Sequence, residues 1–109
     1  MENNFKDLAS TIVSENLAEI NVETLARQLN LDPSQVYRKI KKRTDHSIAI
    51  FIRNICLDKA ELLLRKTDLS IKEIGYQVGF NEISYFTRYF KEAYRITPSH
   101  YRNSFLITF

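Results

Sequence analysis

The chain has 109 residues with 44% hydrophobic residues, enough for one domain around a modest core. Only two glycines and two prolines occur, which argues against turn-rich sandwiches and barrels, and the single cysteine, Cys56, excludes an internal disulfide and a cysteine-based zinc site. Net charge is +3 but unevenly placed: through Asp32 two bases face six acids (net −4), and from Pro33 onward 14 bases face seven acids (net +7). Five of the six residues from Arg38 to Arg43 are basic. A basic body with an acidic N-terminal flank suits a polyanionic partner, although a solvated helix face explains such charge equally well. With no apolar run of membrane-spanning length and no basic-then-apolar leader, a soluble, cytoplasmic protein with no membrane contact is expected.

Seven helices are expected, giving an all-α fold. The first runs from about Asn4 to Asn16, with Phe5, Leu8, Ile12 and Val13 on one stripe. The second follows Asn21 and carries Val22, Leu25, Ala26 and Leu29. Asp32-Pro33 opens the third with an acceptor at the N-cap and a proline where no backbone donor is needed. The fourth runs from near Ser47 to about Lys66, with Ile48, Ile52, Ile55, Cys56, Ala60 and Leu63 at helical spacing. Ser70-Ile-Lys-Glu73 is a capping box, with Leu69 and Ile74 spaced as a hydrophobic staple, and opens the fifth. Asn81 is the expected cap of the sixth, which reaches about Tyr94, and Thr97-Pro98 opens a short seventh.

The chain also repeats itself. Shifted by 49 positions, Leu25 falls on Ile74, Ala26 on Gly75, Gln28 on Gln77, Leu29 on Val78, Asn30 on Gly79 and Leu31 on Phe80. One extra residue then moves the offset to 50, and Val36 falls on Phe86, Arg38 on Arg88, Ile40 on Phe90, Lys41 on Lys91, Ser47 on Thr97 and Phe51 on Tyr101. Two copies are too few for a solenoid, so a duplicated compact motif is the reading. Each copy has a small residue where a second helix can cross closely, Ala26 or Gly75. Four residues on stands Asn30 or Gly79, suited to a left-handed turn; an apolar anchor follows, and then a capped second helix. That is the anatomy of a helix-turn-helix.

The two second helices are expected to have matching faces. At ~100° per residue, Val36 and Ile40 share one side, as do Phe86, Phe90 and Ala93. The opposite side carries Ser34, Tyr37, Arg38 and Lys41 in the first copy and Ser84, Thr87, Arg88 and Lys91 in the second. Arginine pairs bidentately with guanine, hydroxyls reach base edges or phosphate, and lysine neutralises phosphate. The fourth helix, about twenty residues at ~1.5 Å each, spans ~30 Å, close to the ~34–36 Å between successive major-groove faces. One chain acting as a monomer on two adjacent grooves is therefore expected.

The stretch Ile71-Lys-Glu-Ile-Gly-Tyr-Gln-Val-Gly-Phe80, with Ser84-Tyr-Phe-Thr-Arg-Tyr-Phe-Lys91 and Thr97-Pro-Ser-His-Tyr-Arg102, closely resembles the C-terminal signature of AraC/XylS-type transcription regulators. Leu25 to Leu64 resembles that family's first helix-turn-helix and linker helix, and the resemblance covers roughly residues 20 to 103. It implies a duplicated, homeodomain-like domain over 1–109: a first helix-turn-helix at 17–46, a linker helix at 47–66 and a second motif at 70–103. It implies recognition helices at about Pro33–Lys42 and Glu82–Tyr94, and bacterial transcription activation or repression, with promoter DNA and RNA polymerase as partners. The base-reading set expected is Ser34, Gln35, Tyr37, Arg38, Glu82, Ile83, Ser84, Thr87 and Arg88, and the phosphate set is Lys41, Lys42, Lys91, Arg95 and Thr97. In this family the first recognition helix often does most of the reading. Such domains are often joined to a ligand-sensing or phosphorylation-responsive region, so the chain is either a domain from a longer regulator or a small stand-alone one. The sequence departs from the family pattern in carrying Asp45 and Arg95 where glycine usually ends each recognition helix, and Cys56 where an arginine is common.

Several residues have two readings. Tyr37 either meets DNA or packs on its own helix; Ile83 either touches a thymine methyl or covers the core edge; Glu82 either addresses bases or stabilises a helix N-terminus. Phe51 and Tyr101 are expected in the core, Cys56 as a small buried hydrophobe, and His46 and His100 at the surface. No glycine-rich phosphate loop, catalytic histidine–carboxylate spacing or nucleophile motif is present, so neither an enzyme nor a cofactor or metal is expected. A helical protein-interaction module is the alternative to DNA binding. The apolar tail Phe105-Leu-Ile-Thr-Phe109 has no place in either reading; it docks on the domain or meets a partner.

Overall fold

Apolar residues at helical spacing and side-chain caps at most helix starts determine the architecture. The computed structural model describes residues 2–15, 17 and 20–107, with side chains from residue 5 to residue 104 of that set. Among them are seven helices and no strand: α1 (Glu2–Glu15), α2 (Val22–Leu29), α3 (Pro33–Thr44), α4 (Ile48–Lys66), α5 (Ile71–Gln77), α6 (Ile83–Tyr94) and α7 (Pro98–Ile107). None of these helices is long and apolar enough to cross a membrane. The chain divides into two compact units, residues 1–55 and 56–109, so the boundary falls within α4.

In the first unit, α2 packs against α1 and α3. Its core is Ala9, Ile12, Val13, Leu25, Ala26, Val36, Ile40, Ile48 and Phe51. The stripe expected on α1 holds at Phe5, Ile12 and Val13, but Ala9 is fully buried in place of Leu8, which is 51% exposed. Asn16, the expected end of this helix, lies outside the described residues. The Asn21 side chain accepts from Thr24 N–H at 2.8 Å and caps α2. At α3 the Asp32 carboxylate accepts from Gln35 N–H while Gln35 Oε1 accepts from Asp32 N–H, both at 3.0 Å, a reciprocal box that satisfies two orphan donors.

In the second unit, α6 packs against α5 and α7 around buried Leu57, Ala60, Leu64, Ile74, Val78, Phe86 and Phe90. The inward stripe of α4 here uses Leu57 and Leu64, with Leu63 only half-buried. Cys56 is buried, and burial pushes its thiol up to about 11, as befits a small hydrophobe. The Ser70–Glu73 capping box forms as the sequence implies. Asn81 does not cap α6. The extra residue in the second turn pushes Asn81 one place upstream, and Glu82 takes the N-cap position with no side-chain cap bond.

The repeat extends to individual hydrogen bonds. Leu31 N–H donates to Ala26 C=O, and Phe80 N–H donates to Gly75 C=O, each at 2.9 Å and each spanning five residues, as in a Schellman-type helix end. Asn30 (φ 60°) and Gly79 (φ 104°) supply the left-handed residue that this ending requires. Ser47 Oγ accepts from Ile50 N–H at 3.3 Å, and its counterpart Thr97 Oγ1 accepts from His100 N–H at 3.2 Å. Phe51 is buried, whereas Tyr101 is half-buried, edge-on to Phe90 at 5.5 Å, with its hydroxyl donated to Glu61.

The end of α4 is held by one side chain. The Arg102 guanidinium donates to the carbonyl of Leu64, in the last turn of α4, and to those of Thr67 and Leu69 in the loop after it, at 3.2, 3.1 and 2.6 Å. Beside it, Tyr94 donates to Asp58 at 2.8 Å. α7 continues through Ile107, so the tail is helical as far as that residue; its side chains and residues 108 and 109 lie outside the described set.

Two predictions follow from the second unit. A Cβ added at Gly75 would stand 2.9 Å from Phe86 Cδ2 and 3.1 Å from Ile83 Cδ1. Overpacking of ~1–3 kcal/mol then exceeds the helix-propensity gain of up to ~1 kcal/mol, so Gly75→Ala should destabilise by about 1 kcal/mol in chemical denaturation. Adding Phe86→Val, which installs the Ala/Val pair of the first copy, should couple favourably with it. Burial, and then Glu61, raise Tyr101 up to about 12 in the folded chain, against ~10 when unfolded. The stability held by the neutral phenol is therefore complete below about pH 10 and lost as pH rises towards 12; Tyr101→Phe should flatten part of that decline in thermal melts across this range.

Candidate nucleic-acid interface

α3 and α6 each turn one face fully inward. Val36 and Ile40 of α3, and Phe86 and Phe90 of α6, are 0% exposed. Ala93, expected on that inward side, is exposed on the last turn of α6, beyond Phe90, where the buried stripe ends. The outward faces carry the residues the repeat pairs: Ser34, Tyr37, Arg38 and Lys41 on α3 are exposed, as are Ser84, Arg88 and Lys91 on α6, with Thr87 half-buried.

The side chains on these faces differ in their engagements. On α3, Ser34 donates to the Asp32 carboxylate at 2.6 Å, and this bond is the foremost cause holding Asp32 below the usual carboxylate range. Gln35 is half-buried with its carbonyl committed to the capping box, leaving its amide N–H groups for any base contact. Tyr37 is 48% exposed and lines a shallow, mainly apolar groove with Arg38, Lys41, Lys42, Ser47 and Ile48. Lys41 lies 3.7 Å from Asp45, an exposed pair of the kind that contributes little and opens readily.

On α6, Arg88 pairs with Glu92 at 3.9 Å and lies over the Tyr89 ring at 5.4 Å. Ile83 is half-buried with Cδ1 close to Gly75, which is the core-edge position. Glu82 occupies the N-cap, and Thr97 is engaged as the cap of α7. Lys42, Lys91 and Arg95 are exposed, and His46 and His100 are also at the surface. Asp45 (φ 60°) and Arg95 (φ 74°) both adopt the left-handed conformation at the ends of α3 and α6, each donating its N–H to Lys41 or Lys91 C=O. The left-handed turn residue for which glycine was expected is therefore supplied by Asp45 and Arg95.

The flanks beside the two reading faces are unlike. Gln35, Arg38, Lys39, Lys42 and Arg43 line one shallow polar groove in the first unit. In the second, Gly79, Phe80, Asn81, Glu82, Tyr85 and Tyr89 line another, with Phe80 tilted against both Phe86 and Tyr89. Sequence reading passed over Lys39 and Arg43. The signal was in the basic run itself: five cations in six residues cannot all lie on one helical face, so some must border it. Among the described residues no group of His, Cys, Asp and Glu could hold a metal ion.

Residues 25–104 match a family described as a helix-turn-helix domain. The chain is 33% identical over 102 residues to the HTH-type transcriptional activator RhaS of Mannheimia succiniciproducens, covering 94% of this chain and 34% of that protein. It therefore spans about a third of the length of that relative. The C-terminal domain of the two-component response regulator yesN of Fusobacterium nucleatum superposes with a TM-score of 0.76 at 33% identity, over 91% of this chain and 98% of that one. The DNA-binding domain of AdpA, solved in complex with a target DNA, shares the fold at 21% identity, with a TM-score of 0.80 over 92% and 91% of the two chains. This is a family of DNA-binding regulator domains and not an enzyme family. With two helix-turn-helix copies built alike down to their hydrogen bonds, and with these matches over most of its length, the chain belongs to the AraC/XylS-type helix-turn-helix family of transcription regulators.

Proposed function

We propose that the chain is the double-stranded DNA-reading module of a bacterial transcription regulator, acting in the cytoplasm as a monomer on promoter DNA, with α3 and α6 each entering a major groove. The observation that carries this reading is the pair of duplicated helices whose inward faces are completely buried while their outward faces expose matching hydroxyl, arginine and lysine residues. Arg38 and Arg88 are the leading base readers, with Ser34, Gln35, Tyr37, Ser84 and Thr87 around them and Lys41, Lys42, Lys91 and Arg95 on phosphate. Ile83 and Thr97 are more occupied by packing and capping, so their shares in the interface are smaller, whereas the exposed Glu82 makes no side-chain cap bond. RNA polymerase is the protein partner a promoter-bound activator would meet.

Of the two helices, α3 is the stronger reader. Arg88 parts from Glu92 at little cost, since that pair is exposed, so the ranking rests chiefly on the cationic flank that α3 alone carries. Selection of this domain on a random ~30-base-pair duplex library should return two short motifs with centres ~10 base pairs apart, one for each helix. A lone motif would limit base reading to one helix. Absence of enrichment together with salt-insensitive affinity would move the reading to a protein-interaction module. Arg38→Ala should weaken binding to the selected duplex more than Arg88→Ala in anisotropy titrations, and the reverse order would overturn the ranking. Arg95→Gly should separate two roles of one residue. Relief of the left-handed strain should stabilise the fold by ~0.5–1 kcal/mol, while the lost charge weakens DNA binding and shallows its salt dependence.

A further inference from the structure

A helix with its side chains is ~10–12 Å across and the major groove is ~12 Å wide, so a seated helix presents one face to the bases and its flanks to the phosphate chains. One flank of α3 carries Gln35, Lys39, Lys42 and Arg43, which with Arg38 line a single groove. The equivalent positions of α6 hold Tyr85, Tyr89, Glu92 and Ala93. The duplicated motif therefore has cationic reading faces in both copies but a cationic flank in only one: three positive charges stand where the other copy has a single negative one.

A second element touches this flank. Phe5 of α1 packs on the first core, and its ring faces Lys39 Nζ at 5.7 Å and the Arg43 guanidinium at 5.2 Å from the centroid. Lys39 and Arg43 are four residues apart, so both lie over the same turn of α3 and share one ring. The ring orders both cations by its quadrupole.

We infer that Lys39, Lys42 and Arg43 form a clamp on the phosphate backbone along one wall of the groove that α3 enters, and that Phe5 is a positioning residue holding two of its three cations. This rests on the reading that α3 enters a major groove. The first copy would then supply most of the sequence-independent grip as well as the stronger reading face.

The test is a salt series of anisotropy titrations with the selected duplex, using Lys39→Met, Arg43→Gln and Phe5→Leu in the whole chain, each checked by thermal melting. Each charge removal should shallow the slope of log K against log salt by about 0.9 and leave the selected base sequence unchanged. Phe5→Leu keeps apolar bulk but loses the ring, and should weaken binding with all charges still present. Unaltered slopes in both charge variants, with the wild type binding normally, would sink the clamp alone. A changed base preference would place these side chains on bases and overturn it too. Wild-type chain without salt-sensitive duplex binding would overturn the DNA reading itself. The two charge variants decide the matter even where Phe5→Leu unfolds the domain.

Discussion

In the second unit α5 and α6 approach each other so closely at Gly75 that a single added carbon would meet the Phe86 ring at 2.9 Å. That crossing covers Phe86, while Tyr101 of α7 packs edge-on against Phe90; the burial of both rings fixes the rotation of α6 and leaves Ser84, Arg88 and Lys91 outward. The first unit solves the same problem with Ala26 and the smaller Val36 at the corresponding places. A carbon added on one side of the crossing thus goes with a smaller side chain on the other, the direction that close packing requires. The carbonyl of the same small residue then accepts the N–H of Leu31 or Phe80, so one position governs both the crossing and the turn.

The copies have diverged where this constraint is absent. Asp32 and Gln35 cap α3 reciprocally, whereas Glu82 leaves the start of α6 without a side-chain cap, the result of one inserted residue. The flanks diverge further, cationic beside α3 and aromatic beside α6. Packing fixes the buried face in each copy, and the neighbouring surface is free to specialise. Under the proposed DNA-reading role, that divergence places the added cationic charge beside α3 alone.

The second unit depends also on polar contacts distant in sequence. Arg102 gathers three carbonyls at the end of α4 and the following turn, and Tyr94 and Tyr101 reach back to Asp58 and Glu61 of α4. Glu61 is held below the usual carboxylate range, first by Arg65 and then by Tyr101. These bonds tie α6 and α7 to α4 and to the loop after it across separations of 33 to 40 residues.

The sequence by itself determined the helices, the turns between them and the outward polar faces, because these depend on local rules: caps, periodicity, left-handed tolerance at Asn30 and Gly79, and a repeat that shows which positions are equivalent. Local rules failed where a neighbour decides. Leu8 and Ala9 are both apolar, and only the partner helices select Ala9 for burial. Asn81 is a good cap residue by type, yet the inserted residue gives that place to Glu82. Ala93 keeps the inward periodicity but lies past the end of the buried stripe. The cation–ring contacts of Phe5 with Lys39 and Arg43 join residues more than thirty positions apart. Only the tertiary structure could decide them, since a run of bases reveals its charge in the sequence but not what stands beside it once the chain has folded.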